Sequence, residues 1–315
     1  MSQSPNLKSA PWVEKYRPNE FENVVLDPLN RKILTNIIEG TNFPNLLFYG
    51  PPGTGKTTTV TNLINSYQLK NGKICKNLVI HLNASDERGI DTIRNQINVF
   101  VNSSSLFHTG MKFIVLDEVD YMTKNAQQAL RYLLQNQYNT VRFCLICNYI
   151  SKIDEGLQNE FIKLRFNQLP KDEIILYLAN IVQCEKINLS IESLHFIQNT
   201  YKSDVRSMIN YIQSIQNSQT NHVINDAIFE ELYKRLITPS ESLSKLTLHI
   251  TKLSSMYNID SKNIIKHYLN FIIRSKPQLI TASFLSTLEN AMHCQDCSTD
   301  CFINYILTKM MALNK

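Results

Sequence analysis

The sequence predicts an α/β layer built on a parallel five-stranded sheet, followed by an all-helical remainder. Three observations carry this reading. Five short apolar runs alternate with stretches of helical periodicity as far as residue 166. A glycine-rich phosphate-loop signature falls between the first run and the helical stretch after it. Glycine is scarce, 8 in 315, and none lies beyond Gly156, so the second half lacks the usual turn punctuation and reads as helix.

The elements follow in order. Residues 1–20 read as an irregular arm broken by Pro5, Pro11 and Pro18. Buried strands are expected at 45–49, 77–83, 112–118, 141–148 and 162–166. Between them Val60, Leu63, Ile64 and Tyr67 recur at helical spacing, as do Ile93, Ile97, Phe100 and Val101, and then Ala126, Ala129, Leu130, Leu133 and Leu134. Strands separated by helices pair in parallel and need cover on both faces. Pro170 opens a different region of amphipathic helices, expected at 173–182, 190–199, 204–215 and 225–236. A Thr-Pro-Ser turn at 238–240 marks a boundary, and helices at 264–274, 281–292 and from 302 onward follow. The expected domains are therefore 1–166, 167–237 and 238–315.

Composition bounds the function. Lys plus Arg is 32 and Asp plus Glu is 27, a net charge of +5 that permits a nucleic-acid partner without demanding one. A hydrophobic share of 43% argues for an ordered globular chain. No apolar run approaches the ~20 residues that cross a bilayer, and the N-terminus lacks a charged-then-apolar signal pattern. Seven cysteines, an odd number scattered through apolar segments, fit a reducing compartment without structural disulfides. A soluble intracellular protein with no membrane partner is expected. No 20–50-residue repeat and no heptad seam are evident.

The phosphate loop is Gly50-Pro51-Pro52-Gly53-Thr54-Gly55-Lys56-Thr57. Its glycines let backbone N–H groups curl around phosphate oxygens, and the helix N-terminus behind them adds favourable partial charge. Lys56 is expected to neutralise the β/γ-phosphates and the Thr57 hydroxyl to ligate Mg²⁺. The strand at 112–118 ends in Asp117-Glu118-Val119-Asp120, and carboxylates at the C-terminal end of a parallel strand face the ligand crevice. Asp117 suits the Mg²⁺ shell, and Glu118 suits a base that orients the attacking water. Asn148, at the end of the next strand, can hydrogen-bond a γ-phosphate or its water; an Asn there also serves as an ordinary turn residue.

Together these segments resemble the small subunits of replication factor C, the AAA+ clamp-loader family. The likeness rests on the arm Pro11-Trp12-Val13-Glu14-Lys15-Tyr16-Arg17-Pro18 and the loop Gly50 to Thr58. It continues through Asn83-Ala84-Ser85-Asp86-Glu87-Arg88-Gly89-Ile90-Asp91, Leu116 to Asp120, Gln127-Gln128-Ala129-Leu130-Arg131, Asn148 and Ser203-Asp204-Val205-Arg206. It covers about residues 11–215; beyond that only helical character and length match. The resemblance implies an AAA+ P-loop ATPase domain, a helical lid and an all-α collar that assembles a hetero-pentameric ring. In that ring, ATP binding opens a sliding clamp at a primer–template junction, and hydrolysis releases it. Location would be nuclear if the source is eukaryotic.

Residue by residue, the resemblance puts Val13 and Val25 in an adenine pocket with Tyr16 and Arg17 nearby, and Trp12 packing the arm onto the sheet. It puts phosphates on Gly50 through Thr58. Asn83 becomes a polar switch that holds Glu118 until DNA binds, Asn148 a first sensor, and Arg206 a second sensor reaching the γ-phosphate from the lid. Arg88, Arg94 and Lys152 match channel-facing positions and would contact DNA phosphates rather than base edges. Gln127 and Arg131, one helical turn apart, resemble the helix that couples DNA to the ATP site. Phe100, Leu106 and Phe107 read either as an apolar lip for the clamp or as core.

One departure stands out. The family carries Ser-Arg-Cys before the fifth strand, with an arginine that enters the neighbouring ATP site and, in comparable enzymes, is worth ~10³–10⁵ in rate. Here Leu157-Gln158-Asn159-Glu160-Phe161 puts Glu160 in that place, which argues for a hetero-oligomer. Cys294, Cys297 and Cys301 follow His293 at a spacing tight for a zinc knuckle, so incidental thiols and a metal site are both open. Cys144 and Cys147 are expected on opposite faces of one strand. Two further readings stay open: an ATP-binding structural subunit, and another AAA+ DNA motor, which would need a winged-helix end.

Overall fold

The computed structural model describes residues 10–72, 74–85, 90–102, 110–135, 141–216, 226–238, 241–257, 259–293 and 298–313, without the side chains of 90–94, 102, 135 and 313. The chain forms two compact units: Met1–Ile187 with Tyr201–Asn217, and Asn188–Thr200 with Ser218–Lys315.

The first unit is built on the expected sheet. Its strands are β1 (Leu46–Tyr49), β2 (Val79–Asn83), β3 (Lys112–Asp117), β4 (Val141–Cys147) and β5 (Ile162–Arg165). They run parallel in the order β2-β3-β4-β1-β5. Each begins and ends within two residues of its expected bounds; the central strands β1, β3 and β4 are buried nearly end to end, whereas the edge strands β2 and β5 are partly exposed. Alternation splits the core into two clusters. Leu47, Ile114, Leu116, Leu145 and Cys147 face one side, packed with Ile97, Leu130, Leu133 and Leu157. Leu46, Phe48, Phe113, Val115, Cys144 and Ile146 face the other, packed with Leu34, Val60, Leu63 and Ile64. Cys144 and Cys147 do fall on opposite faces. Each large apolar side chain so buried contributes about 1.5–3 kcal/mol relative to exposure.

The helices of this unit are α1 (Trp12–Lys15), α2 (Pro28–Glu39), α3 (Lys56–Lys70), α4 (Ile90–Asn102), α5 (Lys124–Gln135), α6 (Glu155–Gln158), α7 (Lys171–Cys184) and α9 (Val205–Gln216). Asp27 caps α2 by accepting from the Leu29 and Asn30 amides, with Pro28 at its first position. The arm is not wholly irregular: α1 is one turn started after Pro11. Nor is Trp12 set on the sheet. It is buried, α1 packs on α9, and the Trp12 amide donates to Gln213 Oε1 at 3.1 Å.

The second unit contains α8 (Ile191–Tyr201), whose last residue belongs to the first unit, together with α10 (Asp226–Ile237), α11 (Leu243–Tyr257), α12 (Ser261–Ser275), α13 (Ala282–His293) and α14 (Thr299–Leu313). Among its described residues there is no strand. α14 packs against α10, α11, α12 and α13, with Ile303, Ile306, Leu307 and Met310 buried. Phe229, Tyr268 and Phe271 form an aromatic group beside them. No helix among the described residues is long and apolar enough to cross a membrane.

Candidate nucleotide-binding site

The phosphate loop folds as its glycines require. Gly50 and Gly53 have φ of +144° and +74°. A Cβ on Gly50 would lie 1.7 Å from the Phe166 carbonyl oxygen, so only glycine lets the loop leave β1 beside the end of β5. Gly55 then caps α3, which begins at Lys56.

Lys56 is buried, 7% exposed, and its ammonium is fully used. It donates to the Gly50 and Pro51 carbonyls, each at 2.8 Å, and to Asn148 Oδ1 at 3.0 Å. Burial lowers its pKa from the ordinary lysine value, against the opposing pull of Asp117. The Thr57 hydroxyl donates to Asp117 Oδ2 at 2.8 Å, joining the two side chains expected around a metal. A hydroxyl and a carboxylate at the mouth of a phosphate loop are the hard oxygen donors that suit Mg²⁺. Asp117 Oδ1 accepts the Glu118 amide at 2.8 Å. Glu118 itself is half-buried, in the left-handed region at φ 56°, ψ 38°. A non-glycine residue held there stores strain of the kind that collects at functional sites.

The loop meets the helical segment directly. Val205 N–H donates to the Gly53 carbonyl at 3.1 Å. The Asp204 carboxylate accepts the Ser207 amide at 3.0 Å and the Ser207 hydroxyl at 2.7 Å, capping α9. Arg206, in the first turn of α9, is exposed and lines the cleft.

That cleft gathers Val13, Arg17, Val25, Pro52 through Thr58, Asp117, Glu118, Asn148 and Arg206. Arg17 Nε donates to Thr58 Oγ1 at 3.1 Å. The wall also includes Tyr177, Leu169 and Ile209, which sequence reasoning missed. Each looks like an ordinary apolar position on an amphipathic helix or loop. The Tyr177 phenol, pushed up to about 12 by burial, donates to the Tyr16 carbonyl at 2.6 Å.

Several expected residues stand elsewhere. The Tyr16 side chain lines an adjoining cavity and donates to Glu185 Oε1 at 2.6 Å, which Lys15 also reaches at 2.5 Å. Asn83 pairs in register with Asp117, but its Oδ1 accepts from the Ser85 amide and hydroxyl at 3.1 and 3.0 Å rather than bonding Glu118. Lys152 lies on the turn after β4, its ammonium 5.4 and 5.2 Å from the exposed Tyr121 and Tyr149 rings. Gln127 is buried and donates to the Lys152 carbonyl at 3.1 Å while accepting the Asp154 amide at 2.7 Å. Glu160 lies 4.0 Å from Arg131. Phe100 packs at the edge of one core cluster. Arg88, Leu106, Phe107, Cys294 and Cys297 lie outside the described residues, as does the side chain of Arg94 on α4; Cys301 is exposed.

Residues 46–168 match the family model for ATPases associated with various cellular activities. The chain is 37% identical over 227 residues to the probable replication factor C subunit 5 of Dictyostelium discoideum, covering 71% of this chain and 65% of that protein. It is equally similar to replication factor C subunit 3 of Saccharomyces cerevisiae, covering 71% and 66%. It is 40% identical to replication factor C small subunit 2 of Pyrobaculum islandicum, covering 64% and 62%. The matched region thus spans less than two thirds of these relatives' length. Among solved structures, the RuvB Holliday junction branch migration motor of Thermotoga maritima shares the fold, with TM-score 0.55 at 12% identity over 82% of this chain and 91% of that one. The chain thus carries an AAA ATPase domain on a parallel five-stranded sheet and is similar in sequence to small subunits of replication factor C.

Proposed function

We propose that this chain binds and hydrolyses ATP as one subunit of a hetero-oligomeric ring that loads a sliding clamp onto primer–template DNA. The observation that carries the reading is the bond from Val205 N–H to Gly53 O, which brings Arg206 to the same cleft as Lys56, Thr57, Asp117, Glu118 and Asn148. In this reading 1–166 is the AAA+ domain, 167–237 the lid and 238–315 the collar.

The side chains divide the work. Lys56 exchanges its loop carbonyls for β/γ-phosphate oxygens, a stronger charge-assisted pairing. Thr57 and Asp117 hold Mg²⁺, which would supply charge neutralisation across the phosphates. The Glu118 carboxylate orients a water for in-line attack on the γ-phosphorus and takes up its proton. Asn148 and Arg206 bind the γ-phosphate, and Arg206 carries the outcome into α9. Val13, Val25 and Arg17 enclose the base, with Tyr16 acting behind them through its backbone. Asn83, bonded to Ser85 in this structure, would have to turn to Glu118 to act as the switch that holds it until DNA binds, and Arg88, Arg94 and Lys152 meet DNA phosphates.

A second reading has its own observation. Glu160, tied to Arg131, offers a negative charge where a neighbour's ATP would need a positive one. This chain then leaves the adjoining site without its arginine, and a homomeric ring would be deficient throughout.

The test is ATP turnover of the chain with its co-purifying partners, with and without clamp and primed DNA, for wild type and Glu118→Gln. Stimulation by clamp and DNA that is partly removed by the substitution supports a working motor subunit. Stimulation unchanged by it makes the ATP structural. No response to clamp or DNA sinks the clamp-loader reading.

A further inference from the structure

Asp120 is a buried carboxylate beside the site that does not itself line the cleft. It lies in the 3₁₀ turn Val119–Tyr121 that follows the left-handed Glu118, and it is 6% exposed. The bend at Glu118 sends Val119 into the core and Asp120 under the end of β4. There Asp120 Oδ1 accepts the backbone N–H of Asn148 at 3.4 Å. Its other oxygen, Oδ2, is buried with no hydrogen-bond partner among the described residues. A buried carboxylate oxygen left without a partner is destabilising.

The residue Asp120 holds is the residue that holds Lys56. Asn148 Oδ1 takes one of the three Lys56 ammonium protons, and the other two go to loop carbonyls. The position of the Asn148 backbone therefore sets both the reach of its amide and one anchor of Lys56. The Asp120 charge also favours the protonated ammonium of Lys56.

We propose that Asp120 is a positioning residue of the ATP site: by accepting the Asn148 N–H it sets where the Asn148 amide stands and so how Lys56 is directed. This rests on the reading of Asn148 and Lys56 as phosphate-handling residues given above. It adds a link between the turn carrying Glu118 and the end of the neighbouring strand.

The test uses the full chain with its partners and four variants: Asp120→Leu, which keeps the branched shape and removes the acceptor; Asp120→Asn, which keeps an acceptor oxygen; Asn148→Ala; and the Asp120→Leu/Asn148→Ala pair. kcat, KM and ATP affinity are measured for each, with thermal melting as a check of folding. Asp120→Leu is expected to lower kcat by about 10–100-fold, the scale of a misplaced catalytic group, with ATP affinity within about threefold of wild type. Asp120→Asn should recover most of that loss. The pair should be no worse than Asn148→Ala alone, since both changes remove one arrangement. Wild-type kcat in Asp120→Leu beside a deficient Asn148→Ala overturns the proposal, as do fully multiplied losses in the pair. Wild-type turnover in Asn148→Ala overturns the reading of the site itself. If the leucine variant does not fold, Asp120→Ala takes its place with the same expectations.

Discussion

Val205 N–H donates to the Gly53 carbonyl at 3.1 Å, so the helix carrying Arg206 is bonded to the phosphate loop without an intervening side chain. A shift in either is felt by the other, because a backbone bond cannot be relieved by a rotamer change. This bond is a direct physical route from bound phosphates to the helical segment.

Gly53→Ala tests that junction. The added Cβ would lie 1.8 Å from Asp204 Oδ1, on a residue with φ of +74°. Strained backbone at such a position costs about 1–3 kcal/mol, and Asp204 must leave its place as the cap of α9. The expected outcome is a lower melting temperature together with at least tenfold weaker binding of an ATP analogue, about 1.4 kcal/mol. Unchanged binding would mean the loop and α9 are not coupled through Gly53.

Asp117→Asn tests the oxygen pair. The amide keeps the shape but loses the charge opposite Thr57. Turnover should then need about tenfold or more Mg²⁺ for half-saturation, the scale of a weakened ligand set. A titration of turnover against Mg²⁺ decides it; an unshifted midpoint excludes Asp117 from the metal shell. Chelation by EDTA should abolish wild-type turnover.

Glu160→Arg tests the adjoining site. Losing the half-exposed pair with Arg131 at 4.0 Å should cost only about 0–1 kcal/mol of stability. In the assembled ring, turnover at this interface should rise by tenfold or more, a fraction of what an arginine finger supplies. Full wild-type activity at the site facing Glu160 would remove the idea.

Lys152→Ala tests the DNA face. Removing one ammonium that pairs with a duplex phosphate should flatten the slope of log affinity against log salt by about 0.9, with no change in sequence preference. Binding isotherms across a salt series give the answer, and an unchanged slope places Lys152 off the DNA.

The arm offers a pH test. Partial burial disfavours the Glu185 charge, but hydrogen bonds from Lys15 and Tyr16 outweigh it and lower its pKa below the ordinary 4.5. Its hydrogen bond to Glu185 raises the pKa of Lys15 above 10.5 despite desolvation. A depressed carboxylate stabilises above its unfolded pKa and loses that contribution as pH falls through the folded one; a raised lysine does so below its own and loses it as pH rises. The latch is therefore in place between these two limits. Trp12, the single tryptophan, reports on it by fluorescence. Acid should change its emission in wild type, and Glu185→Gln should remove the part of that transition that belongs to the latch. Identical titrations would disprove a role for Glu185.

Much of the first unit was legible before its structure. All five strands were found: the central β1, β3 and β4 as continuous buried apolar runs, and the edge strands β2 and β5 as short apolar-rich runs between helical stretches. The phosphate loop was legible because its glycines and Lys56 form one local motif. Glu185, Tyr177 and Ile209 were not, since each acquires its role from a partner more than 150 residues away on α1 or across the cleft. The second unit was read as helices, but the packing of four of them around α14 has no local signature.

Sequence alone determined the parallel sheet, the order of its elements, and the loop that cradles phosphate, since all three follow from local periodicity, glycine spacing and chain direction. Only the tertiary structure decided that Lys56 is held by Asn148, that α9 is bonded to Gly53, and that Trp12 rests on α9 rather than on the sheet. It likewise left Asp120 with an unpaired buried oxygen. These are contacts between residues 28 to more than 200 positions apart, chosen by burial and hydrogen-bond satisfaction across elements, and no local pattern encodes them.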